Sequence, residues 1–259
     1  MGFSRDQFDL TGKVAIVTGA AVGGIGEAYA HALAEAGAAV VCADIRLDAA
    51  QSVAAAIAAG GGKALAVQVD IADGDSVHAM VAATTSTFGG VDVLVNNAAL
   101  MAQIVMTSAT EYARADWDRA FGVNVTGAWL CTQAVAPSMT ARGGGRIINQ
   151  SSAGAFPAES VYGITKLAII GLTTTMAREL GPSNITVNCI APGITHSEAG
   201  KLLTPEGSPY RDMVEQRAAL RAVGQPDELC GALLLFASPA GAWITGQVLN
   251  VDGGLILRQ

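Results

Sequence analysis

Tyr162 and Lys166 stand four residues apart in the run Tyr162-Gly163-Ile164-Thr165-Lys166, and Ser152 precedes the tyrosine by ten. If this segment is a helix, its 3.6-residue period stacks Tyr162 and Lys166 one turn apart on one face. A phenol and an ammonium then share a pocket. An adjacent positive charge stabilises the ionised phenol and lowers its pKa, so such a tyrosine can exchange a proton near neutral pH. A serine at the end of the preceding strand can bond the same substrate oxygen, and a donor fixed before the reaction costs no reorganisation during it. Taken alone, Tyr and Lys at this spacing also describe a packed ring and a solvated charge on any amphipathic helix. The surrounding elements decide between the two.

Those elements alternate. Residues 13–18 form a β-branched run ending in glycine, and residues 24–36 an Ala-rich amphipathic helix closed by Gly37. Strands are expected at 38–43, 64–69, 91–95, 145–150, 185–191 and 247–251. Helices are expected at 47–59, 75–88, 110–141, 160–180 and from near Pro226. The strands are apolar throughout rather than at every second residue, which indicates a sheet covered on both faces and parallel strands joined by helical crossovers. After Pro192-Gly193 the rhythm breaks for about 30 residues, so 194–224 is expected to be one long loop and a candidate lid over a single domain spanning 1–259.

Composition narrows the function. The 259 residues are 51% apolar with a formal charge of −7, and Lys and Arg are scattered singly, which argues against nucleic acid and anionic membrane as partners. No apolar run approaches a membrane span. Cys42, Cys131, Cys189 and Cys230 are far apart, and the opening MGFSRDQFDLTGK lacks the apolar region of a secretory leader, so a reducing, cytoplasmic setting is expected. His31, His78 and His196 are too scattered for a metal site, and none is expected. His196 lies beside the expected cofactor edge and is a candidate substrate contact.

The turn after the first strand reads Thr18-Gly19-Ala20-Ala21-Val22-Gly23-Gly24-Ile25-Gly26. Missing Cβ atoms there let backbone approach a pyrophosphate, and a helix N-terminus supplies N–H donors. Asp44 closes the next strand, 18 positions beyond Gly26. A carboxylate at that position accepts bonds from ribose hydroxyls and repels a 2′-phosphate, which favours NAD over NADP. Arg46, two residues on, could accommodate that phosphate.

With Asn96-Asn97-Ala98-Ala99 added, the glycine turn, Ser152 and Tyr162-x-x-x-Lys166 occur in order, and from about Lys13 to Gly254 the chain resembles the short-chain dehydrogenase/reductase family, classical type. The resemblance implies an α/β fold, a Rossmann-type doubly wound three-layer sandwich with a seven-stranded parallel sheet. It implies NAD(P) at the carboxyl edge and hydride transfer between nicotinamide and a carbonyl or alcohol. It makes Tyr162 the acid/base, Lys166 the group that lowers its pKa and holds the nicotinamide ribose, Ser152 the orienter of the substrate oxygen, and Asn124, before Gly127, the support of a water relay. For the cofactor it points to Gly19, Gly24, Ile25 and Gly26 in the turn, and to Asp44 and Ile45 after the second strand. Asp70 and Ile71 match the adenine contact. Asn97, Ala98 and Ala99 match the backbone beside ribose and nicotinamide, and Pro192, Gly193, Thr195 and Ser197 the segment around the carboxamide. A homotetramer is implied too, with helices 110–141 and 160–180 at an interface.

Three departures from the family pattern stand out. The turn has one extra residue, so Gly23 or Gly24 takes the middle place; the spacing into the helix favours Gly24. N-N-A-G reads N-N-A-A, which is tolerable unless Ala99 needs a positive φ. The serine is 10 rather than 13 residues before the tyrosine. Counting from the strand selects Ser152, and counting back from Gly154 selects Ser151. The strand register is the harder of the two to slip. Above the nicotinamide, Met101, Gln103, Phe156, Pro157, Leu202, Leu203, Tyr210 and Met213 are expected to gather, favouring a hydrophobic or medium-sized substrate. The expectation is an NAD-dependent enzyme interconverting a secondary alcohol and a ketone. A 3-oxoacyl-thioester reductase and a non-catalytic dinucleotide sensor are the alternatives.

Overall fold

Short runs such as VAIVT and AVVCAD carry β-branched side chains at nearly every position, and a pleated strand buried on both faces accommodates them best. In the structure, a computed structural model that describes residues 4–101 and 108–257, seven such runs form one parallel sheet. The strands are β1 (Val14–Thr18), β2 (Ala39–Asp44), β3 (Lys63–Gln68), β4 (Val93–Asn96), β5 (Gly145–Gln150), β6 (Ile185–Pro192) and β7 (Val248–Val251). Their order is β3-β2-β1-β4-β5-β6-β7, so the chain runs outward from β1 in one direction and returns to begin again at β4. The carboxyl ends of β1 and β4 therefore diverge into a crevice, the switch point at which open α/β sheets bind ligands.

Helices α1 (Ile25–Glu35), α2 (Leu47–Ala59) and α3 (Gly74–Phe88) connect the first four strands, close to their expected bounds. Alternate strand residues divide between two cores. Ala15, Val17, Val40, Cys42 and Ile148 face α1, α2 and the late helix α9 (Cys230–Ala237), whereas Ile16, Val41, Leu94 and Ile147 face α3, α5 (Ala128–Ala141) and α6 (Val161–Leu180). The result is a doubly wound three-layer sandwich in one domain, as expected.

Two elements differ from expectation. The helix expected over 110–141 is α4 (Arg114–Phe121), a π-helical turn (Gly122–Gly127) and then α5. A π-turn accommodates an extra residue without ending the helix, so apolar periodicity runs through it unbroken. The expected loop 194–224 holds two helices, α7 (Glu198–Leu203) and α8 (Pro209–Arg217). Ser197 caps the first by accepting from the Gly200 N–H, and Ser208 caps the second, with Pro209 at its start. Both are short, and their polar faces hide the periodicity. Among the described residues no helix is long and apolar enough to cross a membrane.

At the edge opposite the crevice, buried Asp92 ties β4 to β1 and α5. It accepts the Val14 N–H at 2.9 Å and a two-pronged bond from Arg142 at 3.0 and 2.8 Å. Asp92→Ala leaves that N–H and the partly exposed guanidinium without their acceptor, and the expected loss is about 1–3 kcal/mol of stability. Urea unfolding reads it as a lowered midpoint; an unchanged midpoint would mean that the cluster does not brace the sheet.

Candidate active site

The crevice is a cleft of about 1240 Å³, more than a single small molecule occupies. Its walls collect what the sequence scattered. From the turn come Gly19, Gly24 and Ile25; from the end of β2, Asp44 and Ile45; after β3, Asp70 and Ile71. Asn97, Ala98 and Ala99 follow β4, and Pro192, Gly193, Thr195 and Ser197 follow β6. Ser152, Tyr162 and Lys166 line the same space. Of the residues singled out in the sequence, Gly26 and Asn124 stand behind the wall rather than in it, and each supports residues that do line it.

Gly26 is packed so tightly that a Cβ there would collide with the Gly19 carbonyl and lie 2.7 Å from Asn97 Nδ2. Gly19 has φ +69° and its own Cβ would sit 2.8 Å from Ala98 Cα. These glycines let β1, α1 and the segment after β4 converge. Gly23 and Gly24 separate cleanly. Gly23 has φ +82° and lies beneath Glu198 of α7, while Gly24 is the N-cap of α1 and lines the cleft. A bare helix N-terminus beside missing side chains fits a pyrophosphate. Asp44 is 8% exposed, accepts the Arg46 N–H at 2.9 Å and has the Arg46 Nε 3.7 Å away, so Arg46 folds back toward the carboxylate. Ala99 is not among the described non-glycine residues with positive φ, and the alanine is accommodated without backbone strain.

At the other end of the cleft, α6 begins at Ser160, whose hydroxyl accepts from the Gly163 N–H, and one turn later Tyr162 and Lys166 project together. Lys166 is 2% exposed, and its Nζ donates to the Gln150 carbonyl at 2.8 Å and lies 5.6 Å from the centre of the Tyr162 ring. Burial pulls the ammonium down to about 8. Burial also pushes the Tyr162 phenol up to about 12, and the hydrogen bond with Ser152 draws it partly back. Desolvation thus outweighs the pull of Ser152. Tyr162 is a neutral phenol at physiological pH.

The two serines differ in surroundings. Ser151 is 1% exposed and donates to the Lys166 carbonyl at 2.7 Å, which ties β5 to α6. Ser152 is half-buried, lines the cleft and bonds Tyr162. Asn124, in the π-turn, is fully committed. Its Nδ2 donates to the Leu100 carbonyl and to Thr165 Oγ1, both at 3.0 Å, and its Oδ1 accepts the Leu100 N–H at 2.8 Å. Thr165 in turn donates to the Tyr162 carbonyl at 2.7 Å. Asn124 is therefore joined to the Tyr162 backbone through Thr165.

Met101, Pro157, Leu203, Tyr210 and Met213 line the cleft as expected; Phe156 and Leu202 do not, and Gln103 lies outside the described residues. His196 lines a separate cavity with His31 and Glu27, and its Nε2 is 3.3 Å from Arg211. Arg114 and Asp118 form an exposed i,i+4 pair along α4. Sequence reasoning passed over Thr18, whose hydroxyl receives the N–H groups of both Asn97 and Ala98, and over Gln150. A glutamine closing a strand as apolar as β5 was the available signal.

The model of a family described as "Enoyl-(Acyl carrier protein) reductase" matches residues 19–256. An uncharacterized oxidoreductase of Mycobacterium tuberculosis is 46% identical over 250 residues, covering 95% of this chain and 98% of that protein. A 3-oxoacyl-[acyl-carrier-protein] reductase of a Synechocystis species is 39% identical, covering 96% and 98%. Among solved structures, a 7α-hydroxysteroid dehydrogenase complexed with NADH and 7-oxo glycochenodeoxycholic acid superposes with a TM-score of 0.89 at 37% identity over 98% of both chains. A gluconate 5-dehydrogenase from Burkholderia cenocepacia, in complex with NADP and tartrate, superposes with a TM-score of 0.90 at 35% identity over 96% and 97%. The chain belongs to the classical short-chain dehydrogenase/reductase family, a family of oxidoreductases that bind a nicotinamide dinucleotide.

Proposed function

We propose that the chain is an NAD-dependent oxidoreductase that interconverts a secondary alcohol and a ketone in the cytoplasm, as a homotetramer. The observation that carries this reading is the meeting of Tyr162, Ser152 and buried Lys166 at one end of a cleft whose other end holds the bare N-terminus of α1 and Asp44. When bound, the dinucleotide supplies the hydride donor or acceptor. The chain supplies the proton and the geometry. As a neutral phenol, Tyr162 donates its proton to a ketone oxygen held also by the Ser152 hydroxyl, a pair of donors preset at one point. The Lys166 charge favours the phenolate left behind. Asn124 and Thr165 hold the turn bearing Tyr162 in register. Toward substrate, α7 and α8 contribute Leu203, Met213 and Val214, an apolar wall that supports a hydrophobic or medium-sized substrate and a covering role for 194–224.

The 39% identity to the Synechocystis reductase favours one second reading, a 3-oxoacyl-thioester reductase. A panel of ketones, alcohols and 3-oxoacyl thioesters followed by nicotinamide absorbance separates the two. Turnover of none, with dinucleotide still bound, would promote the sensor reading and sink both.

Four outcomes are expected from this reading. Tyr162→Phe lowers kcat by roughly 10²–10⁴ with dinucleotide affinity retained. Ser152→Ala is damaging in the same way, whereas Ser151→Ala acts on stability; loss of turnover in Ser151→Ala alone would reverse the assignment. In competitive titration NADH binds more tightly than NADPH, because a 2′-phosphate meets the Asp44 carboxylate; tighter NADPH binding refutes the role given to Asp44. Sedimentation at micromolar concentration gives a tetramer burying the half-exposed Trp129 of α5 and Leu167 of α6; a monomer contradicts the assembly.

A further inference from the structure

Tyr29 is the bulkiest of the fully buried side chains, and it lies on the inner face of α1, one turn beyond Gly26. Its hydroxyl is a polar atom in an otherwise apolar core, and it donates to Gln150 Oε1 at 2.8 Å. Burial holds the Tyr29 phenol well above its ordinary pKa, so its O–H stays protonated. With Oε1 occupied by the phenol, the Gln150 amide turns its Nε2 to Asn97 Oδ1 at 3.0 Å. With its own Oδ1 taken, Asn97 must point its Nδ2 at the carbonyls of Thr18 and Gly19, at 2.9 and 3.1 Å. Each amide has one orientation that satisfies its neighbours: the acceptor-only carbonyls of Thr18 and Gly19 hold the Asn97 Nδ2, the Asn97 Oδ1 holds the Gln150 Nε2, and the Tyr29 hydroxyl satisfies the Gln150 Oε1 that remains.

The chain of bonds closes a ring in space. It leaves α1 at Tyr29, crosses the ends of β5 and β4, and returns to the glycine turn that opens α1. Asn97 Nδ2 is the atom that lies 2.9 Å from where a Cβ of Gly19 would be and 2.7 Å from where one of Gly26 would be. Gln150 and Asn97 both line the cleft. The main-chain carbonyl of Gln150 meanwhile holds Lys166. One residue thus reaches both ends of the site, its side chain toward the turn and its backbone toward α6.

We propose that Tyr29 and Gln150 are positioning residues for dinucleotide binding, a buried clasp that sets the Asn97 amide and through it the conformation of the Gly19–Gly26 turn. The proposal rests on the dinucleotide reading of that turn. Neither side chain touches the reacting atoms, so the clasp is read in cofactor affinity. Tyr29→Phe keeps the ring and removes only the donor, which leaves the Gln150 Oε1 without its partner and loosens the hold of that amide on Asn97. Gln150→Met keeps the length of the side chain and removes both polar ends.

The test is dinucleotide affinity, by calorimetry or by quenching of protein fluorescence, in the parent chain, the two single variants and the double variant, with thermal unfolding measured beside it. Tyr29→Phe is expected to raise Kd for the dinucleotide about three- to ten-fold, the range of one buried hydrogen bond. Gln150→Met should raise it at least as much. In the Gln150→Met background the Tyr29→Phe substitution should add nothing, since a relay is broken once. Lowered thermal stability with unchanged Kd in Tyr29→Phe would reduce the clasp to core packing and overturn the proposal, as would effects that add in full. Should Gln150→Met fail to fold, Tyr29→Phe alone still decides it, because Tyr29→Phe deletes only a hydroxyl. A parent chain without measurable dinucleotide affinity overturns the reading beneath the clasp and the clasp with it, whereas a parent that binds and variants that bind equally well overturn the clasp alone.

Discussion

An ammonium 2% exposed, inside an α/β sandwich, is stable only where something replaces its water, and here that is the Gln150 carbonyl at 2.8 Å. The carbonyl is free for this because β5 ends there. In a parallel sheet the bonds between neighbouring strands stop at the carboxyl edge, and the last backbone groups must find side chains, turns or ligands. The same constraint places the other polar side chains. Thr18 at the end of β1 takes two N–H groups from the segment after β4, Asn97 takes the carbonyls of Thr18 and Gly19, and Ser151 takes the Lys166 carbonyl. The cleft is polar along its floor because strands end there, and the wall supplied by α7 and α8 sets Leu203, Met213 and Val214 beside Glu198 and Arg217.

Much of this was legible as spacing. Doubly buried strands announce themselves as mostly apolar runs, and seven of them were found within a residue or two of their bounds; polar exceptions such as Asn149 and Asn188 are hydrogen-bonded. The i,i+4 relation of Tyr162 and Lys166 needed only that α6 be helical. Successive side chains at the end of a strand point to opposite sides. Ser151, whose N–H still pairs with Ile190, donates to the Lys166 carbonyl and Ser152 bonds Tyr162, although both border the cleft.

What stayed hidden had no local signal. A π-turn adds one residue to a helix without altering the apolar stripe enough to show, so Asn124 was placed within one continuous helix when it sits in an interruption of two. Helices α7 and α8 were hidden for the opposite reason, a surface role with little apolar content, although Ser197 and Ser208-Pro209 are ordinary start signals. The bond from Tyr29 to Gln150 joins residues 121 apart in the chain, and no spacing rule reaches that far. The lysine stands beside Tyr162 as expected, and burial raises the phenol and lowers the ammonium.

The shortened segment between Ser152 and Tyr162 explains one further residue. With fewer residues than the family spacing, the chain leaves β5 through a tight 3₁₀ turn (Ala153–Ala155) and reaches α6 through Ala158, held at φ +49°. A left-handed alanine is disfavoured and persists only where its surroundings leave no alternative. Here the surroundings are Gly163. A Cβ on Gly163 would sit 3.0 Å from Ala158 Cα and 2.7 Å from the Gly154 carbonyl, so the turn can fold against α6 only because that position carries no side chain. A glycine inside a helix ordinarily costs about 1 kcal/mol relative to alanine. In this helix it lies between Tyr162 and Lys166, and the close approach it permits is what brings the Ser152 hydroxyl within hydrogen-bonding reach of the phenol despite the shorter connection. The spacing that departs most from the family pattern is therefore matched by a glycine within the motif itself, and the two have to be read together.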